Sequence, residues 1–194
     1  MQFLKIASFL ATAALATAAN TVTFLSQDHQ DRTVYWTGNP QMAHIADTRV
    51  PGNQNVTISV PDGWVGNFYA VADGSPKVPG MLGEVAFNGW MGITYFDVSA
   101  IVNPNDKNGV KQMWPKGENQ PVSGCVKFPC AFAYYAPDDV QTRATMVSDL
   151  FCSLGNSEVG ITGRAWDDHP ESPAMARDFV QGKWTTKGHR AVVA

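Results

Sequence analysis

Two acids stand out in the stretch GEVAFNGWMGITYFDVSAI, residues 83–101. Glu84 and Asp97 lie thirteen positions apart, each among apolar and aromatic residues of strand character. Acids placed there are either exposed decoration on a sheet edge or two walls of one acidic cleft. The second arrangement has a chemistry: glycoside hydrolysis needs two carboxyl groups about 5 to 9.5 Å apart, flanking the scissile bond, one of them held protonated near neutral pH.

The other reactive residue types are sparse. Three cysteines, Cys125, Cys130 and Cys152, give an odd count. In a secreted chain at least one disulfide is expected, with one thiol left over. His29, His44, His169 and His189 are far apart, and no C-x-x-C pair or Cys/His cluster is present, so no metal site and no cofactor are expected. A net charge of −3 from scattered charges offers no basic footprint for a phosphate backbone, which argues against nucleic-acid binding. Asn55-Val56-Thr57 is a glycosylation sequon. Aromatic residues are many for a chain of this length. Most should be core, but flat aromatic faces also stack on sugar rings. Trp64 and Trp90 follow glycines in turn-like segments, which favours exposure, and Tyr95 lies close to Asp97 in the same strand-like run.

These residues must be held by short strands. NTVTFLS and RTVYWTG alternate; NVTISVPDGWVGNFYAV reads as two strands around Pro61-Asp62-Gly63; GEVAFNG and GITYFDVSAI read as two more around Gly89-Trp90-Met91-Gly92. Long helical periodicity is missing. The fold class expected is all-β, an antiparallel β-sandwich. Residues 138–150 are less clear, and Asp138 or Asp139 suits the cap of a short helical turn. At the start, Lys5 precedes a short apolar run and Ala16-Thr17-Ala18 gives an A-x-A site, so residues 1–18 read as a signal peptide. The run is shorter than the ~20 apolar residues of a membrane span, and no span is expected. Residues 19–154 read as one domain. Residues 155–194, rich in Gly, Ser and charge, read as a polar, disordered tail with a short helix near SPAMARDFVQG.

Four segments, in order, resemble the thaumatin-like proteins. RTVYWTG resembles the family's first hairpin. PGNQNVTISVPDGWVGNFYAV resembles its G-x-x-x-T-(I/V)-x-V-P-x-G segment. GEVAFNGWMGITYFDVSAI resembles the run ending in Y-D-V-S, and CAFAYYAPDD followed by FCSLG resembles the end of its core. The resemblance implies a flattened antiparallel sandwich with an acidic cleft on one side. Only five positions separate Cys125 from Cys130, so the family's disulfide-rich second domain has no room. The chain is most similar to the short, cysteine-poor members secreted by filamentous fungi. Of the family's cleft acids, the resemblance carries over Glu84 and Asp97. Val102 and Phe132 stand where two further acids would be, and Arg49 lies near the place of the cleft arginine. The family's cysteine pattern implies a Cys125–Cys152 bridge, with Cys130–Cys152 as the alternative.

The protein expected on these grounds is secreted, extracellular or cell-wall associated. It binds β-glucan-type polysaccharide through a reduced acidic groove lined by Trp64, Trp90, Tyr95 and Arg49, in wall remodelling during growth or germination. One rival is an endo-β-1,3-glucanase with Glu84 as acid and Asp97 as base or nucleophile. Another is a surface or defence protein that binds host or partner proteins.

Overall fold

The computed structural model describes residues 20–156, together with Met175–Ala176 and Thr185–Thr186. In chain order the strands are β1 (Asn20–Ser26), β2 (Arg32–Gly38), β3 (Thr48–Val50), β4 (Asn55–Val60), β5 (Val65–Ala72), β6 (Leu82–Ala86), β7 (Thr94–Ser99), β8 (Val110–Pro115), β9 (Ser123–Gly124), β10 (Arg143–Thr145) and β11 (Asp149–Leu154). They form an all-β sandwich. One sheet has the order β4-β1-β11-β8-β9 and the other β10-β7-β6-β5-β2-β3. Every ladder in these two sheets is antiparallel except β1–β11, which is parallel.

Alternation explains the layers. In NTVTFLS, Val22 and Phe24 enter the space between the sheets; in RTVYWTG, Val34 and Trp36 do. Phe24, Trp36 and Phe68 meet there with ring centroids 4.8 to 5.7 Å apart, and Trp64 joins Trp36 edge-on at 5.7 Å. Aromatic contacts of this kind add to area burial. The Pro61-Asp62-Gly63 turn does not join paired strands: β4 belongs to one sheet and β5 to the other, so the turn carries the chain across the sandwich. RTVYWTG, as β2, pairs antiparallel with β3, the next strand in the chain, and with β5, and not with β1. The hairpin read around Gly89-Trp90-Met91-Gly92 is present as β6 and β7, with a short 3-10 turn at Trp90–Gly92. Gly83 in β6 is required by packing, since a Cβ there would collide with the Phe68 ring.

One end of the sandwich is closed by a buried cation. Arg32 is fully buried. Its Nε donates to the Asn108 carbonyl at 2.6 Å, and Nη1 and Nη2 each donate to one Asp28 carboxylate oxygen at 2.7 Å. Asp28 also accepts from the Asn156 N–H at 2.9 Å, where β11 has just ended. Burial would raise the Asp28 carboxyl, but hydrogen bonds from Arg32, Asn156 and Gln30 outweigh it and hold it at about 2.

Several expectations are corrected. Cys152 lies in mid-β11, with Phe24 and Met113 as its cross-strand neighbours, and is a buried free thiol. The bridge joins Cys125 to Cys130, with Cα atoms 6.4 Å apart. Cys125 lies just past β9, where the chain turns back on itself, so it meets Cys130 and neither cysteine meets Cys152. Residues 138–150 form no helical turn: Asp139 accepts from the N–H groups of Tyr135 and Ala136 behind it, and Arg143–Thr145 is a strand. Met175–Ala176 pairs antiparallel with Thr185–Thr186, and the rest of SPAMARDFVQG, the segment that suits a short helix, lies outside the described residues. Residues 1–19, where the signal peptide is expected, and the rest of residues 155–194, apart from Gly155 and Asn156, lie outside the described residues.

Candidate functional site

Glu84 and Asp97 are direct cross-strand neighbours in the β6–β7 ladder. Their neighbours Val85, Phe96 and Val98 point into the core, so both acids point to the outer face of the six-stranded sheet. Cβ atoms of such a pair lie about 4.5–5.5 Å apart. Asn67 of β5 continues the row beyond Glu84. Tyr95 and Ser99 flank Asp97 on the same face. Glu84 is 2 % exposed and Asp97 0 %, so both carboxyls are set into the sheet rather than on its surface.

On the side away from Glu84, Asp97 meets a polar cluster. Thr142 Oγ1 donates to Asp97 Oδ2 at 3.4 Å and shares a 2.8 Å hydrogen bond with Tyr134 Oη. The Thr142 N–H also donates to Tyr134 Oη, at 3.2 Å. Tyr134 is fully buried and bridges to Ser99. Arg143 opens β10 beside β7 and donates through Nε to the Val122 carbonyl at 3.2 Å. Burial pushes the Asp97 carboxyl up to about 8, and the Thr142 hydroxyl and the Arg143 charge only partly offset it. Burial also raises the Tyr134 phenol, with the Asp97 charge adding to the shift, and lowers Arg143. An aspartic acid that keeps its proton near neutrality can donate a hydrogen bond or hand on a proton. No group of three or more His, Cys, Asp or Glu suited to a metal occurs among the described residues.

No family model matches the chain. The antigenic protein SchS21 of Stachybotrys chartarum is 52 % identical over 141 residues, which is 73 % of this chain and 98 % of the relative. The chain belongs to the SchS21 family. Among solved structures, the protein elicitor MoHrip2 of Magnaporthe oryzae overlays with a TM-score of 0.49 at 12 % identity, covering 70 % of this chain and 98 % of that one.

This SchS21-family fold gathers some of the expected site residues and scatters others. Tyr95 is beside the acids, buried, with Oη donating to the Trp90 carbonyl at 3.3 Å. Trp90 is 55 % exposed at the hairpin tip, next to Met91, and remains available to a ligand. Trp64 is not: it is buried between the sheets, and its Nε1 donates to the Ala43 carbonyl at 2.9 Å. The glycine before it does mark a turn, but that turn delivers the ring into the core. Arg49 is on β3, at the far edge of the sheet, with β5 and β2 between it and β6, about 14 Å across at ordinary strand spacing. It pairs there with Asp31 at 2.6 Å and Asp73 at 3.1 Å. The cation near Asp97 is Arg143 instead, and neither it nor Thr142 stands out in the sequence. Their only signal is the alternation of Thr142, Arg143 and Ala144, hidden in a stretch that suits a helical turn.

Proposed function

We propose that the chain is a secreted fungal protein of thaumatin-like architecture. It works at the cell wall or outer surface and binds β-glucan-type polysaccharide without cutting it. The observation that carries this is the placement of Glu84 and Asp97. They are side by side on one face, as a cleft pair would be, yet 2 % and 0 % exposed. A hydrolase needs its two carboxyls on opposite sides of a glycosidic bond with water at hand. Neighbouring acids set into a sheet instead leave its outer face to other side chains. Trp90 at the hairpin tip, the exposed Thr37 and the half-buried Asn67 and Tyr35 supply aromatic and hydrogen-bonding contacts on that sheet. A relative named for its antigenicity supports an extracellular location.

The raised Asp97 favours a second reading, since a general acid near neutrality is what a β-1,3-glucanase needs. One experiment separates the readings. Mature protein, residues 19–194, is incubated with insoluble β-1,3-glucan, chitin and cellulose; protein in the pellet and reducing sugar in the supernatant are measured. Binding predicts pelleting with glucan and no sugar, unchanged in Glu84→Gln. Sugar release that Glu84→Gln abolishes makes the protein an enzyme. Protein that stays in solution with every polymer ends the polysaccharide reading and leaves a protein partner as the ligand class.

A further inference from the structure

Each sheet has two edges, and an open edge invites another strand to add. Three of the four are guarded. β9 has two residues and is covered by Phe132, whose carbonyl accepts from the Gly124 N–H at 2.6 Å. β3 has three residues and carries the exposed Arg49. β10 has three residues and begins with Arg143. The fourth edge, β4, is different. It runs for six residues, NVTISV, without charge or proline, and pairs only with β1 among the described strands. Uncharged six-residue segments of high β-propensity are the type most prone to strand addition. The sequon lies on this strand. Asn55 and Thr57 are both exposed on its outward side, while Val56 and Ile58 pack against the core.

We infer that Asn55 carries an N-linked glycan and that this glycan guards the open β4 edge. The inference rests on the secretion reading above. The co-substrate is a lipid-diphosphate-linked oligosaccharide of the secretory pathway. The Asn55 amide nitrogen forms a bond to the anomeric carbon of the first sugar, the bond from that carbon to the diphosphate oxygen breaks, the lipid diphosphate leaves, and the amide gives up one proton. Nothing is oxidised or reduced. The topology keeps the acceptor open long enough. In the finished fold Thr57 Oγ1 is tied to Thr23 Oγ1 at 2.8 Å, but β1 gains its second neighbour only from β11, near the other end of the described sandwich. Until β11 has been synthesised, β4 and β1 are a lone pair of strands, and such a pair is marginal in water. The acceptor segment therefore stays extended and accessible during synthesis.

The test is expression of the full chain in a secreting filamentous fungus. The intact mass and the Asn55 peptide of protein from the medium are measured before and after N-glycosidase treatment, and solution mass is measured by light scattering. The expected result is a glycan at Asn55 on a monomer. Asn55→Gln and Thr57→Ala, made separately because the second also loses the Thr23 contact, should lose the glycan and at least double in solution mass. A lysine on the strand, Ser59→Lys in the Asn55→Gln background, should restore the monomer. Unmodified Asn55 on protein from the medium overturns the glycan. A glycosylated parent whose Asn55→Gln form stays monomeric overturns the guarding role. Retention of the chain in the cell with its leader uncut overturns the secretion reading, and the glycan with it.

Discussion

Two aspartates in this molecule, Asp28 partly buried and Asp97 fully buried, have been driven in opposite directions. Asp28 sits against the Arg32 guanidinium, and its hydrogen bonds hold the carboxyl at about 2; Asp97 sits beside Glu84, and burial pushes its carboxyl up to about 8. Burial raises both, but it is complete for Asp97 and only partial for Asp28, and that is one part of the difference. The other part lies in what the partners donate. Asp28 receives two guanidinium N–H groups and the backbone N–H groups of Gln30 and Asn156. Asp97 accepts from the Thr142 hydroxyl at 3.4 Å and lies in the field of the Arg143 charge, and Arg143 also donates from Nε to the Val122 carbonyl and from Nη2 to the Gln141 amide oxygen. The first site is a permanent ion pair that ties strand to loop. The second is a carboxyl kept ready to hold a proton.

The sharpest way to break the comparison is at the clamp. Arg32→Ala leaves the Asp28 charge without its cation and the Asn108 and Gln30 carbonyls without their donor. Removing one partner of a fully buried pair costs about 3–5 kcal/mol; Asp28 is partly exposed, so the loss should lie toward the low end of that range. Arg49→Ala, whose ion pairs are exposed, should change stability by about 0–1 kcal/mol. Urea unfolding of the two variants measures both. Equal effects would mean that the clamp is no stronger than a surface pair.

How much of this is legible in the sequence depends on the range of the contact. The β6–β7 hairpin follows from local alternation around one turn, and that turn fixes the register that sets Glu84 against Asp97. The outward direction of both acids follows too, because Val85, Phe96 and Val98 claim the core. The partners of Asp97 are not legible. Thr142 reaches it across 45 positions of sequence, by docking of a three-residue strand too short to leave a pattern. Trp64 shows the limit of turn signals: a glycine before a tryptophan marks a change of direction, but not whether the chain turns toward water or across the sandwich. The cysteine pairing fails for a related reason. β11 slides in parallel to β1, between β1 and β8, which carries Cys152 into the core and leaves Cys125 to its near neighbour.

Next in size is the pH response, where the two aspartates should act with opposite signs. The native Asp97 carboxyl holds a proton that the unfolded chain releases near its ordinary value of 3.8. Its contribution is fully present below that value and is lost as pH rises toward about 8. Asp28 is the reverse: its contribution is present above about 3.8 and is lost as pH falls through about 2. Asp97→Asn cannot ionise and keeps the shape. It should therefore gain about 1–3 kcal/mol on the parent between pH 4 and pH 8. Asp28→Asn should be destabilised at neutral pH and approach the parent in acid. Thermal unfolding across pH 2 to 8 reads both differences. Parallel curves for Asp97→Asn and the parent would show that Asp97 ionises normally in the native state.

The smallest change tests what holds Asp97 where it is. Thr142→Val keeps the shape of the side chain and removes one hydroxyl, with its hydrogen bonds to Asp97 and Tyr134. A neutral hydrogen bond of this kind is worth about 1 kcal/mol, so stability at pH 4 should fall by about that amount. The titration carries more information. The hydroxyl donates to the ionised carboxylate and lowers its proton affinity, so its loss should move the Asp97 transition upward, as seen by carbon-detected NMR of the carboxyl. Tyr134→Phe supplies the contrast, since it removes the phenol that accepts from the Thr142 N–H but leaves the hydroxyl beside Asp97. A similar loss of stability with a smaller shift of Asp97 would mean that Thr142 tunes the acid directly. An Asp97 transition that Thr142→Val leaves in place would mean that burial and the Arg143 charge set it without the hydroxyl. The Thr142 hydroxyl would then be a strap for β10, with no part in holding the proton.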